Sequence, residues 1–324
     1  MDISQIETAR ARIGLRVEKT PLRSSCALSR ALGRPVFLKL ETRQRTGSFK
    51  LRGATNAMLA LSDAARSRGV VTASTGNHGR AIAYAAREAG ARAVVCMSAL
   101  VPANKVKAVR ALGAGVHIVG RSQDDAQDEV GRLIQREGLS EIPPFDHPHV
   151  IAGQGTAGLE IVDEAPEVAT ILVPLSGGGL AAGVAAAVKG LRPRAKVIGV
   201  SMRRGAAMHA SLAAGRPVAV EELETLADSL GGGIGLDNRY TFAMCRALLD
   251  DVVLVEEEEI AAAVRRLFET ESEIDEGAGA VGVAALLAGK IAGDGPTVAL
   301  LSGSNIAPEL HRDLVTGRWA QRAA

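Results

Sequence analysis

Apolar and polar positions along this chain alternate in a strand-then-helix rhythm. Val36-Phe37-Leu38-Lys39-Leu40 is a short, mostly apolar run with β-branched and aromatic residues, which reads as a buried strand. Before it, Thr20-Pro21-Leu22 and Ala27 to Leu32 read as an irregular entry and a short scaffold helix. After it, Leu51, Ala54, Met58 and Leu61 recur at helical spacing, with Ser48 available as an N-cap. From Val70 the rhythm is regular, with strands over Val70 to Ala73, Ala93 to Met97 and Val116 to Val119 alternating with helices over His78 to Ala89, Asn104 to Leu112 and Ser122 to Glu137. Gly90, Gly113 and Gly138 stand where helix C-caps belong. Three β-α units in succession make a small parallel sheet with helices on both faces. The proline-rich stretch Ile142 to Pro148 reads as the exit from that lobe.

Beyond Gly153 the alternation resumes at larger scale. Strands are expected over Thr170 to Leu175, Lys196 to Val200, Val252 to Val255 and Thr297 to Leu301, and helices over Leu180 to Lys189, Glu257 to Glu269 and Gly279 to Ala292. A long, less regular stretch precedes Asn238. The fold class is therefore α/β, with parallel-sheet cores covered by helices on both faces.

A chain of 324 residues with 47% hydrophobic content can bury one large core or two moderate ones, and two lobes are expected. The formal charge of +2 is too small for a phosphate-backbone binder, and 2% aromatics leaves no platform for base stacking, so nucleic acid is excluded as a partner. Met1 to Gly14 carries Asp2, Glu7, Arg10 and Arg12 without an apolar core, and no segment is long enough without charge to span a bilayer. No membrane association and a cytoplasmic location are expected. Cys26, Cys96 and Cys245, odd in number and widely spaced, suit reduced buried thiols. The acidic run Glu256 to Glu259 reads as the first turn of a helix whose buried face is Ile260, Val264, Leu267 and Phe268, not as a metal cluster.

Candidate chemistry gathers at three strand ends. Lys50 falls in the first turn of a helix, where the positive end of the backbone dipole favours its neutral, nucleophilic amine. Ser176-Gly177-Gly178-Gly179-Leu180 follows a strand and opens a helix, either as a tight turn or as a cradle of N–H groups for an anion. Its spacing is not that of a dinucleotide fingerprint, and Ser201 stands where the ribose-binding acid would be, which disfavours a nicotinamide cofactor. Ser74-Thr75-Gly76-Asn77-His78 is a donor-rich turn at the carboxyl end of another strand, where Ser74 and Asn77 serve either a ligand or the helix cap. His78 reads as a structural donor, without acid-base work.

Thr46-Gly47-Ser48-Phe49-Lys50-Leu51-Arg52-Gly53-Ala54 resembles the Schiff-base lysine segment of the fold-type II pyridoxal-phosphate enzymes, in the serine/threonine dehydratase and serine racemase family. The 74–79 turn, Ala152-Gly153-Gln154-Gly155-Thr156, the glycine turn and Ser302-Gly303-Ser304-Asn305 follow in the family's order, so the resemblance covers roughly residues 15 to 315. It implies a two-domain, tryptophan synthase β-like fold, with residues 1–62 and 148–324 forming a large cofactor domain and 63–147 a smaller inserted one. The implied cofactor is pyridoxal 5′-phosphate, covalently held by Lys50, with Phe49 beside its ring, Asn77 on its hydroxyl, Ser176 to Leu180 on its phosphate and Ser302 on its pyridine nitrogen. A hydroxyl there, unlike an aspartate, does not hold that nitrogen protonated, which suits eliminations. Glu276 matches a position near the cofactor face and equally reads as a helix-start carboxylate. Residues Ser74, Thr75, Gly76, Asn77 and His78 would grip the substrate carboxylate.

The activity implied is elimination of a β-hydroxyl from a hydroxy amino acid to give a 2-oxo acid and ammonia, with Lys50 removing the α-proton. Thr75, the second catalytic candidate, stands where racemases of the family place a serine, which makes a serine racemase-like isomerase the alternative of another class. At the family's cation site this chain has Ser201 and Ala207, with Arg203 and Arg204 between, so no divalent metal is expected. The C-terminal regulatory domain of biosynthetic threonine deaminases is expected to be absent. Arg204-Gly205-Ala206-Ala207-Met208, Ser229 and Gly231-Gly232-Gly233 resemble the branch associated with hydroxyectoine utilisation; threo-3-hydroxyaspartate is a further candidate substrate. A homodimer is the family expectation.

Overall fold

The computed structural model describes residues 1–74, 76–101 and 103–319. Among the described residues, ten strands form two sheets: β1 (Leu22–Ser24), β2 (Val36–Leu40), β3 (Val70–Ala73), β4 (Ala93–Met97), β5 (Gly115–Ile118), β6 (Ser140–Glu141), β7 (Thr170–Pro174), β8 (Lys196–Met202), β9 (Asp251–Val255) and β10 (Thr297–Leu301). The larger sheet runs β1-β2-β10-β7-β8-β9 and is parallel except for β1. The smaller runs β5-β4-β3-β6 and is parallel throughout. Strands β3, β4, β7 and β10 are buried at every residue, which is why they read as continuous apolar runs without alternation. No helix among the described residues is long and apolar enough to cross a membrane.

Helix Pro148–Glu164 runs through the centre, buried from Val150 to Val162. Glycines let two other helices press against it. A Cβ on Gly153 would lie 2.6 Å from the Cα of Gly53, in helix Lys50–Ala60, and one on Gly183, in helix Gly179–Leu191, would lie 2.7 Å from the amide nitrogen of Gly155. Neither approach leaves room for a side chain. Helix Lys50–Ala60 also joins the core of the smaller sheet, where Leu51, Ala54 and Met58 pack with Val70, Ala81 and Ile82.

Charges lock the same crossing. The Arg52 guanidinium donates to both Glu41 oxygens (2.7 and 2.8 Å) and both Glu160 oxygens (2.7 and 2.8 Å), while Lys39 Nζ donates to Glu160 (2.7 Å) and to the Thr20 carbonyl (2.6 Å). Lys39, Glu41 and Arg52 are fully buried. Their two-fold hydrogen bonding satisfies what would otherwise be costly lone charges.

Four expectations need correction. Ser48 does not cap its helix: Phe49 is the N-cap, and the Ser48 hydroxyl is buried without a partner, because Ser48 is drawn into an antiparallel bridge with Gly303. The helix after the acidic run ends at Arg266 and continues as a π turn over Leu267–Glu271, which rotates Phe268 out of the buried face to stack edge-on with His311. Cys26 is exposed, although Cys96 and Cys245 are buried and all three are free. The last long helix begins at Gly277 and ends at Leu287, short of Ala292.

Candidate active site

Three neighbouring strands deliver three segments to one edge of the larger sheet. β2, β10 and β7 are adjacent and parallel, so the Lys50 segment, Ser302 and the glycine turn all leave the sheet at its carboxyl end. That edge is where open parallel sheets bind ligands. The Phe49 amide donates to the Ser302 carbonyl (3.0 Å) and the Ser304 amide to the Gly47 carbonyl (2.9 Å), which fixes the lysine loop to the end of β10.

Lys50 is the first residue of its helix, as the spacing predicts. Its Nζ donates to the Pro144 carbonyl at 2.8 Å and lies 5.3 Å from the centre of the Phe49 ring. Withdrawal from water lowers its pKa to about 8, against an opposing pull from Glu276. A useful fraction of neutral amine is then present at neutral pH.

The glycine turn follows β7. Gly178 has φ +87°, in the left-handed region, and caps helix Gly179–Leu191. A Cβ on Gly178 would stand 2.8 Å from Met208 Cε and 2.9 Å from Cys245 Sγ, and one on Gly179 would stand 3.0 Å from the Phe145 backbone. The turn therefore presents only backbone to the space before it, and the first N–H groups of the helix have no partner within the helix. Such a turn fits a phosphate in shape and charge. Ser176 and Leu180 flank it, the leucine side chain turned into the core.

From the smaller sheet, the turn after β3 faces this edge. Ser74 Oγ accepts from the amides of Gly76 (3.2 Å) and Gly79 (2.8 Å), so its hydroxyl serves the start of the helix. Thr75, the second catalytic candidate, lies outside the described residues. Asn77 Nδ2 donates to Glu276 Oε1 at 2.7 Å, and Asn77 Oδ1 accepts from Asn305 Nδ2 at 2.6 Å. Asn77 and Glu276 thus join elements of the two sheets. Burial, with the nearby Asp228 charge, raises Glu276 to about 7, opposed by the Asn77 hydrogen bond. The His78 ring faces the Ile142 carbonyl (2.9 Å), and burial, reinforced by Lys50, lowers it to about 3. It is a neutral Nε2 donor, in keeping with the structural reading.

Lys105 Nζ pairs with Asp228 Oδ2 at 2.6 Å across the same cleft, its stem over Gly76. Arg203 pairs with Glu256, and Arg204 donates to the Glu224 carbonyl at 3.2 Å. No pattern in the sequence singles out Pro144, Phe145 or Asp146, and Asn305 is carried in the Ser302-Gly303-Ser304-Asn305 segment without a role of its own. Two of these act through backbone carbonyl or ring placement, for which a linear sequence carries no pattern.

The depressed lysine pKa has a measurable consequence in protein stripped of small molecules. Between about 8 and the ordinary value of 10.5 the unfolded chain binds more protons than the folded one, so stability rises with pH across that window. Lys50→Met removes the penalty. The variant is expected to exceed the wild type in chemical-denaturation stability by most below pH 8, the difference shrinking towards pH 10.5. A difference that stays flat over that range would contradict the burial of this amine.

A family model described as "Pyridoxal-phosphate dependent enzyme" matches residues 13–303. The chain belongs to this family. Its cofactor is pyridoxal phosphate, and the donor set above fits one: an amine for the aldehyde, an all-backbone turn for the phosphate and a hydroxyl at Ser302. Among related pyridoxal-phosphate enzymes, a provisionally named threonine dehydratase of Sinorhizobium fredii is 64% identical over 318 residues, covering 98% of this chain and 96% of the relative. The L-threonine ammonia-lyase of Thermotoga maritima is 44% identical over 90% of this chain and 72% of its own length. The structure of maize serine racemase superposes with a TM-score of 0.92 at 33% identity, covering 100% of this chain and 99% of that one.

Proposed function

We propose that this chain is a pyridoxal-phosphate-dependent ammonia-lyase that removes a β-hydroxyl from a hydroxy amino acid, yielding a 2-oxo acid and ammonia. The observation that carries the reading is Lys50, an amine lowered to about 8, on the same sheet edge as the glycine turn. The identities to a threonine dehydratase and a threonine ammonia-lyase support it.

When bound, pyridoxal phosphate supplies an electron sink that acidifies the substrate's α-hydrogen. The chain's own residues do the rest. Gly177, Gly178, Gly179 and the neighbouring amides of Ser176 and Leu180 would hold the phosphate, with Phe49 beside the ring and Asn77 and Ser302 as partners for its polar groups. The turn from Ser74 to His78 would take the substrate carboxylate on its N–H and hydroxyl groups, apart from the Gly76 amide, which donates to Ser74 Oγ (3.2 Å). Lys50 Nζ, its pKa lowered to about 8 by burial so that part of it is neutral, would receive the α-proton. Glu276, raised to about 7 by burial and accepting from Asn77 Nδ2, can exchange a proton close by near neutral pH. Residues 63–147 form the smaller lobe and 1–62 with 148–324 the larger, and closure of the cleft between them keeps water out during elimination.

A panel of L-serine, L-threonine, threo-3-hydroxyaspartate and hydroxyectoine-derived compounds, read as ammonia and 2-oxo acid released in equal amounts, tests the reading and names the substrate. Failure of cofactor-loaded protein to release ammonia from any of them would sink it. The likeness to maize serine racemase favours one second reading, isomerisation, with Thr75 as the opposing acid. Chiral analysis of residual serine separates the two. No divalent cation is required in this reading, and activity unchanged by a chelator is the expected result. A cytoplasmic homodimer is the proposed setting, checked by light scattering.

A further inference from the structure

Between the smaller sheet and the central helix the chain crosses the site as a short strap, residues 142–147. The Ile142 amide is bound to the Val71 carbonyl (3.1 Å) and its carbonyl to His78, so the strap starts from a fixed point. Pro143 and Pro144 restrict the backbone that follows and contribute no donors. The Pro144 carbonyl accepts from Lys50 Nζ at 2.8 Å. The Phe145 ring lies directly on Gly177, with its backbone against Gly179. One short segment thus touches both the reactive amine and the glycine turn.

What holds the strap there is the next residue. Asp146 Oδ1 accepts from the amides of Tyr240 and Thr241, both at 2.9 Å, and Asp146 Oδ2 accepts from the Arg239 amide at 2.6 Å. These three donors form the entry to helix Thr241–Leu248, whose Thr241 and Cys245 back Gly178 from the other side. A single carboxylate therefore joins the strap above the glycine turn to the helix beneath it.

We propose that Asp146 is a positioning residue for the cofactor cradle, setting Phe145 against the glycine turn and the Pro144 carbonyl against Lys50. This inference rests on the functional reading above. It differs from helix capping alone, for which Asn238 supplies a comparison at the same helix entry: its Oδ1 accepts from the Phe242 amide (2.9 Å) and its Nδ2 donates to Thr241 Oγ1 (2.8 Å), with no hydrogen bond to the strap.

The test is pyridoxal phosphate affinity, titrated by visible absorbance into cofactor-stripped protein well below its melting temperature, for wild type, D146A, D146N and N238A. Loss of three charge-assisted hydrogen bonds is expected to weaken D146A by about tenfold or more, with D146N intermediate because one oxygen keeps two of its donors. N238A is expected to lose melting temperature and to lose less affinity than D146A, because it loosens Thr241 behind Gly178 but leaves the strap tied. Wild-type affinity in D146A, or an equal loss in N238A, overturns the inference. If D146A does not fold, D146N against wild type decides it, and an unchanged constant there overturns it. Wild-type protein that takes up no pyridoxal phosphate would overturn the functional reading and this inference together.

Discussion

Lys50→Ala is expected to fold, and to lose turnover by roughly 10^4-fold or more, together with the visible absorbance of the lysine-bonded cofactor. Two roles end with one side chain. The alanine can neither bond the cofactor aldehyde nor receive a proton from the substrate. Folding should survive, because the helix is held by Gly53 against Gly153 and by Arg52 against Glu41 and Glu160, none of which involves Lys50. Burial at this position in fact penalises the charged amine, so the variant should be no less stable than the cofactor-free wild type. Lys50→Arg is the sharper comparison: it keeps a cation but cannot supply a neutral amine, and should be as inactive as the alanine variant. Retention of either absorbance or turnover in both variants would remove Lys50 from the centre of the site.

The parts of this fold legible in the sequence are those whose burial is simple. β2, β3, β4 and β10 have their expected bounds, because an apolar run between turn residues has one reading when both faces of the sheet are covered. Helix Pro148–Glu164 was illegible for the opposite reason. Buried on all sides and containing Gly153, Gly155 and Gly158, it has no amphipathic period for the sequence to show. Helices Ile3–Ile13, Asp63–Arg68, Ala207–Ala214 and Thr241–Leu248 are short or weakly patterned and were likewise passed over.

At the site, the positions of the lysine, the glycine turn and Asn77 at helix starts that follow strands were legible, because the switch from a strand run to a helical period marks those junctions. The strap was not. Its prolines signal an exit and its carbonyl contact with Lys50 leaves no mark in the side-chain sequence. Charged residues misled in the same way: Glu41, Arg52 and Glu160 sit at positions that composition alone assigns to solvent, and only Lys39, inside an apolar strand, hints that a partner waits within.

That hidden network carries the largest stability effect. Arg52→Leu leaves the Glu41 carboxylate fully buried without its guanidinium and strips Glu160 of two donors, so a loss of about 3–5 kcal/mol is expected. The same arrangement fixes the pH dependence. Burial alone pushes Glu41 up, but the Arg52 charge and hydrogen bonds outweigh it and hold the group below the ordinary 4.5. A depressed carboxylate contributes stability above its unfolded pKa and loses it as pH falls through the folded one. In Arg52→Leu that contribution is gone, and Glu41 takes up a proton instead. The stability gap between variant and wild type, measured by denaturant unfolding, should therefore be widest near pH 7 and narrow as pH falls below about 5. Adding Glu41→Leu to Arg52→Leu should restore part of the loss, because the cost of burying that carboxyl without its partner is removed with it. A single-variant loss under about 1 kcal/mol, the range of an exposed pair, would mean that water reaches this site. The network would then not be what fixes the helix that carries Lys50.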